Sequence, residues 1–266
     1  MDKVRDSFLL QVGAGAAACV GFHVLRRLTD GFFTRLAGKF GAKTEAEHHK
    51  FGMQTLNFFF HSAAGTFSAV VVRNEGWLRR PESVWAGAYH EVPAPYIGFY
   101  CVEFGYHLQR LTALFLKERK KDFHEMLIHH TVTVALISTS LAMGYTRIGI
   151  MVMMVHDTSD ILGCLAKMAS ATNQKKVLIG IFFPMFMTWF YTRLWILPMH
   201  IVPIAASHPA GIRATSVWFC TGSLCVLVGL NAYWFSLFMR MLYRVVVSKG
   251  KVAEDIQEDS KQSPCE

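Results

Sequence analysis

Apolar and polar positions divide the chain into seven long apolar runs, at about 8–25, 51–72, 95–116, 126–144, 147–168, 177–204 and 216–245, separated by short polar or basic segments. Each run approaches or exceeds the roughly 20 residues that an α-helix needs to cross a bilayer core. Only helices and closed barrels satisfy their backbone groups in lipid, and none of these runs shows the alternation of a barrel strand. The expected fold is all-α: a polytopic membrane protein of about seven transmembrane helices.

Composition agrees with this pattern. Of 266 residues, 52% are hydrophobic and 17% charged, above the roughly 45–50% apolar content of a soluble domain. The net charge of +8 is concentrated in alternate connections. Arg26, Arg27, Arg35, Lys39, Lys43 and Lys50 follow the first run; Lys117, Arg119, Lys120 and Lys121 follow the third. Lys167, Lys175 and Lys176 flank the fifth connection, and Arg240, Arg244, Lys249, Lys251 and Lys261 lie near the C-terminus. Because basic residues are retained on the cytosolic side, this alternation predicts a lumenal N-terminus and a cytosolic C-terminus. The first run carries Ala-rich triplets like those of a signal peptide, but cleavage there would leave the segment from Arg26 to Lys50 on the wrong side, so a retained helix is expected. The positive charge is a topology signal first and an attraction for anionic lipid second. Nothing in it suggests nucleic acid. The six cysteines lie mostly inside apolar runs without a CxxC pair, as buried small hydrophobes do.

The polar residues inside the apolar runs carry the chemistry. Glu125 to Met168 reads as a helical hairpin with its tip near Gly144, Tyr145 and Thr146, yet it contains His129, His130, His156, Asp157 and Asp160. Ionisable residues in a membrane are costly and mark functional sites by default. Both arms rise about 1.5 Å per residue, so His130 and Asp160, fifteen residues either side of Tyr145, fall at one depth. His156, Asp157 and Asp160 share a helical face, and Thr133 lies one turn beyond His129. The third run adds Glu103, His107 and Arg110 as a stripe at matching depth, with Glu103 and Arg110 as a candidate buried pair. A neutral imidazole held by a carboxylate acts as a general base or as a nucleophile that is acylated and then deacylated. Asp157 or Asp160 is expected to hold His129 or His130 in this way. Thr133, His156 and Arg110 are substrate-contacting candidates, with Lys120 and Lys121 at the mouth of the pocket, where they suit the phosphates of a nucleotide-bearing carrier. Arg193, in the sixth run, is expected to snorkel toward the membrane surface. The plainer reading, in which the histidines and aspartates only tie helices together, accounts poorly for two of each in one hairpin.

A di-metal site is the rival reading. His124, His129 and His130 stand in HEMLIHH, where the second histidine comes one residue too late for HExxH, and the repeated HxxxH and HxxHH boxes of such a site are missing. No metal or other resident cofactor is therefore expected.

The segment KKDFHEMLIHHTVTVALISTS, continued by YTRIGIMVMMVHDTSDILGCLAKM, resembles the signature motif of the ceramide synthase branch of the TLC-domain proteins: the HH pair, Thr133, Ser140, Arg147, Gly149, HDxxD and AKM. YTRLWILP and the segment from Tyr233 to Asp259 are also similar, so the resemblance covers roughly Lys39 to Asp259. It implies a TLC-type helical bundle with a first helix and the start of a cytosolic loop in 1–38, a catalytic membrane domain in 39–248 and a disordered cytosolic tail in 249–266. It also implies a multi-pass protein of the endoplasmic reticulum membrane that transfers a fatty acyl group from acyl-CoA, as co-substrate, to the amine of a sphingoid base. Membrane lipids are implied as surroundings, and a homodimer or an accessory subunit is compatible. His129 and His130 match the family's essential pair, and Asp157 and Asp160 its acidic partners. Either His129 is acylated or His130 deprotonates the amine. Acyl preference would depend on the region from Met199 to Arg213. The chain departs from the family's usual residues at Leu141, Gly144, Cys164 and Asn231, none of which belongs to HH or HDxxD. A metal-dependent lipid hydroxylase and a non-enzymatic lipid sensor of the same fold are the alternatives.

Overall fold

A computed structural model describes residues 2–85, 92–116, 122–207 and 214–247. The tail of 249–266, with Lys120 and Lys121, lies outside them. Among the described residues the chain is helical throughout. The long elements are α1 (Asp2–Lys39), α2 (Glu45–Glu75), α4 (Ala94–Leu116), α5 (Phe123–Ala142), α6 (Thr146–Ala171) and α9 (Ala214–Val247), with a short α3 (Glu82–Trp85). One further rod runs through α7 (Lys175–Trp189), a π-helical stretch (Phe190–Ile201) and α8 (Val202–Ala206). Every apolar run thus lies within one long helical rod.

Four rods, Glu45–Glu75, Thr146–Ala171, Lys175–Ala206 and Ala214–Tyr243, are long and apolar enough to cross a bilayer by themselves. The other three, α1, α4 and α5, are not among them. Their polar residues include Arg26, Arg27 and Asp30 in α1, Glu103, His107 and Arg110 in α4, and His129 and His130 in α5. Each apolar run falls on a rod, and four of these rods are independently apolar spans. The outer surface suits lipid: Phe59, Phe115, Phe183, Tyr191 and Trp218 are all more than half exposed, an arrangement that water would penalise.

Local signals start and stop the rods. Thr44 and Glu47 form a reciprocal capping box at the start of α2, satisfying two donors that the helix leaves open. The α5–α6 hairpin turns where the sequence places it. Gly144 has φ 73°, the left-handed region that glycine or asparagine tolerates. Tyr145 fixes the corner through its hydroxyl, 2.9 Å from Ser216 Oγ in α9.

Packing sets the position of the site. α2 lies along α6, α1 along α4, and α4 along α5, while α6 also packs against α7 and the π stretch. The two arms of the hairpin touch each other far less than α6 touches α2. Pro184 and Pro198 interrupt the sixth rod's donors, and the wider winding between them turns Thr192, Arg193 and Leu197 into the bundle.

Candidate active site

Between the splayed arms of the hairpin lies a cavity of about 80 Å³, walled by α4, α5, α6 and α9. One end is polar, with Glu103, His107, His129, His156, Asp157 and Asp160; the other is lined by Trp85, Tyr145, Ala205 and Val217. The Trp85 indole N–H donates to the Ile204 carbonyl at 2.9 Å, tying α3 to α8 at this apolar end. From His129 to Ser140 the wall extends eleven residues along α5, roughly 16 Å at helical rise.

His129 faces this cavity, edge-on to Trp234 with ring centroids 5.2 Å apart. His130, next in sequence, points elsewhere. It is buried behind the wall, its ring centroid 6.4 Å from that of His107. Consecutive helical residues diverge by about 100°, and of the pair only His129 lines the cavity. Thr133 also lines the cavity, its hydroxyl donating to the His129 carbonyl at 2.8 Å. Arg110 is buried in α4 outside the wall.

The carboxylates have partners that the sequence did not indicate. Asp157 Oδ1 accepts from His61 Nδ1 at 2.8 Å, and the Tyr106 hydroxyl lies 3.1 Å from His61 Nε2. The imidazole that Asp157 orients is therefore His61 of α2, not one of the histidine pair as expected. Gly65, one turn further along α2, faces α6 here: a Cβ there would make an ordinary contact, 3.4 Å, with the Asp157 Cβ. Asp160 holds Arg193, whose Nη2 lies 2.5 Å from Asp160 Oδ1. Arg193 also donates to Ser159 Oγ (2.6 Å), the His156 carbonyl (3.0 Å) and Asn231 Oδ1 (3.3 Å), and its guanidinium carbon stands 3.9 Å over the Trp189 ring. Only 3% exposed, it does not snorkel. With a carboxylate and three further acceptors inside the bundle, its donors need no water.

Asn231 joins this cluster from α9. It is buried between Arg193 and His156, accepting from the former and donating to His156 Nε2 at 3.4 Å. An amide supplies both roles without adding charge beside a guanidinium. His156 gives its other ring nitrogen to the Val152 carbonyl at 2.8 Å, which fixes its tautomer. Glu103 stands apart from Arg110: its Oε2 is 3.4 Å from His107 Nε2. Among the described residues, no three His, Cys, Asp or Glu side chains converge as metal ligands do.

Residues 50–240 match the TLC domain, and the chain belongs to that family, a multi-pass helical membrane protein. It is 30% identical over 217 residues to ceramide synthase 4 of Homo sapiens, an alignment covering 80% of this chain and 55% of that protein. It is 25% identical to ceramide synthase hyl-1 of Caenorhabditis elegans, over 76% of this chain and 59% of that protein. It is 26% identical to ceramide synthase LOH2 of Arabidopsis thaliana, over 83% and 77% respectively. The chain thus spans little more than half the length of the animal relatives it matches.

The Arg193–Asp160 pair gives a direct test. Asp160→Ala leaves an enclosed guanidinium without its anion and is expected to destabilise the bundle by about 3 kcal/mol or more. Combining it with Arg193→Met should cost less than the two single losses added together. Denaturant unfolding in detergent measures both, and an Asp160→Ala protein as stable as the wild type contradicts the assignment.

Proposed function

We propose that this chain is an acyl-CoA-dependent N-acyltransferase of ceramide synthase type, forming an amide between a fatty acyl group and the amine of a sphingoid base. One observation carries the reading: His129 stands at the polar end of a cavity whose remaining length is lined mainly by apolar residues. A depth of roughly 16 Å is about half of a 30 Å hydrocarbon core, the reach of one lipid chain in one leaflet.

His129 is the acyl acceptor. A ring nitrogen of its neutral imidazole attacks the thioester carbonyl, the C–S bond breaks, and CoA departs and takes up a proton. The amine then attacks the acyl-imidazole, a C–N amide bond forms and the bond to His129 breaks; the amine gives up its protons to the imidazole and to a nearby carboxylate. A resident cofactor has no part in this sequence, and CoA enters as substrate. Thr133 and His156 contact the reacting lipid. Asp160 acts through Arg193, and Asp157 through His61, to keep the polar end rigid. His130, behind the wall, supports the ring of His107 and the α4 face. Lys120 and Lys121 follow α4 in sequence and are suited to CoA phosphates, with Arg110 in the α4 turns that lead to them. The polar end then opens to the cytosol of an endoplasmic reticulum membrane, with the N-terminus lumenal and the C-terminus cytosolic, as the basic connections require.

Two measurements test the reading. Incubating purified protein with sphinganine and acyl-CoAs of graded length, with mass spectrometry of the lipids, should yield the amide, and His129→Ala should lower the rate by roughly 10³-fold or more. Full activity in His129→Ala removes the assignment. Ala205→Phe, at the apolar end of the cavity, should shift the products toward shorter acyl chains, and an unchanged chain-length profile would show that this end does not measure the chain.

A further inference from the structure

We propose that Trp85, on the short helix α3, is the stop against which the end of the acyl chain packs, and that it thereby sets the chain length transferred. The inference rests on the acyl-transfer reading and adds to it a specificity residue from outside the rods that carry the polar groups.

Trp85 lines the cavity together with Tyr145, Ala205 and Val217. Its ring lies edge-on to that of Tyr145, with centroids 5.8 Å apart. On the α6 side the wall runs from Tyr145 to His156, eleven residues or roughly 16 Å at helical rise. Trp85 therefore stands at the end of the cavity opposite the histidines.

A side chain that measures another chain must hold its place against it, and Trp85 is held from several sides. Its indole N–H donates to the Ile204 carbonyl at 2.9 Å, one of the acceptors that the last turn of a helix leaves open. Arg147 of α6 grips the backbone just before it, donating to the carbonyls of Ser83 (2.8 Å) and Val84 (3.4 Å). Val84 and Trp77 anchor the same segment in the main core. Tyr145, beside the indole, is bound in turn to Ser216 of α9 through its hydroxyl. With its N–H taken up by Ile204, the indole offers the cavity a large apolar surface. The tie to Ile204 also gives α8 a route to chain length, because a change there moves the carbonyl that orients the ring.

The full chain, purified and supplied with sphinganine and acyl-CoAs of graded length, provides the test. Each methylene that gains burial favours a substrate by about fourfold. Trp85→Ala should therefore raise kcat/KM for a chain about two carbons longer than the wild-type optimum by about tenfold relative to that optimum. An unchanged length profile overturns the proposal. A second measurement needs no turnover and uses Trp85→Phe, which keeps an aromatic ring in the core. Fatty acids brominated at the terminal carbon should quench a part of the wild-type tryptophan fluorescence that is missing in Trp85→Phe, and fatty acids brominated beside the carboxyl should not. Quenching that does not depend on Trp85 also overturns the proposal. If the wild type acylates no amine, the acyl-transfer reading fails, while the quenching comparison still decides whether an aliphatic chain ends on Trp85.

Discussion

A guanidinium enclosed by lipid-facing helices must find all its acceptors within the protein, and the candidate site is built around how Arg193 does so. Its four acceptors come from α6 and α9: the Asp160 carboxylate, the Ser159 hydroxyl, the His156 carbonyl and the Asn231 amide. Meeting these demands fixes the rotation of the sixth rod against α6 and brings α9 alongside. The π winding between two prolines turns the residue inward, and wide turns of this kind recur at functional sites. Once Arg193 is satisfied, Asp160 is neutralised and His156 is locked through Asn231.

A second buried pair fixes the other side. His61 ties α2 to α6 through Asp157, and stacking of Phe60 on Tyr106, with centroids 3.6 Å apart, brings α4 into the same cluster. The two arms of the hairpin are held mainly by α2, α4, α9 and the sixth rod, and only slightly by each other. The space between them remains open as the cavity, with His129 at its polar end. The helices that supply most of this polarity, α4 and α5, are among those too polar to count as independent spans.

Much of this was legible in the sequence. The seven apolar runs, the hairpin tip at Tyr145 and the shared depth of the histidines and aspartates follow from hydropathy and helical rise alone. The pairing did not follow. In a soluble helix the polar face shows which way the core lies; here lipid and core are both apolar, so periodicity does not reveal the rotation of α2 or α6. His61, in the run FFFHSAAGTF, and Arg193, alone in a long apolar stretch, were visible as anomalies. Their partners are 96 and 33 residues away in sequence, and no local spacing rule connects them. Reading Arg193 as a snorkelling residue failed because the π stretch turns it inward, an effect that its sequence position does not reveal.

The central claim is that of two adjacent histidines only His129 meets the lipid thioester. The most direct measurement is acid-quenched mass spectrometry of the peptide containing both residues, after incubation with an acyl-CoA and no amine. The account predicts a mass increase of one acyl group, mapped by fragmentation to His129 and lost when an amine is added. An acyl group on His130, or none on either histidine in a preparation that turns over, would contradict it.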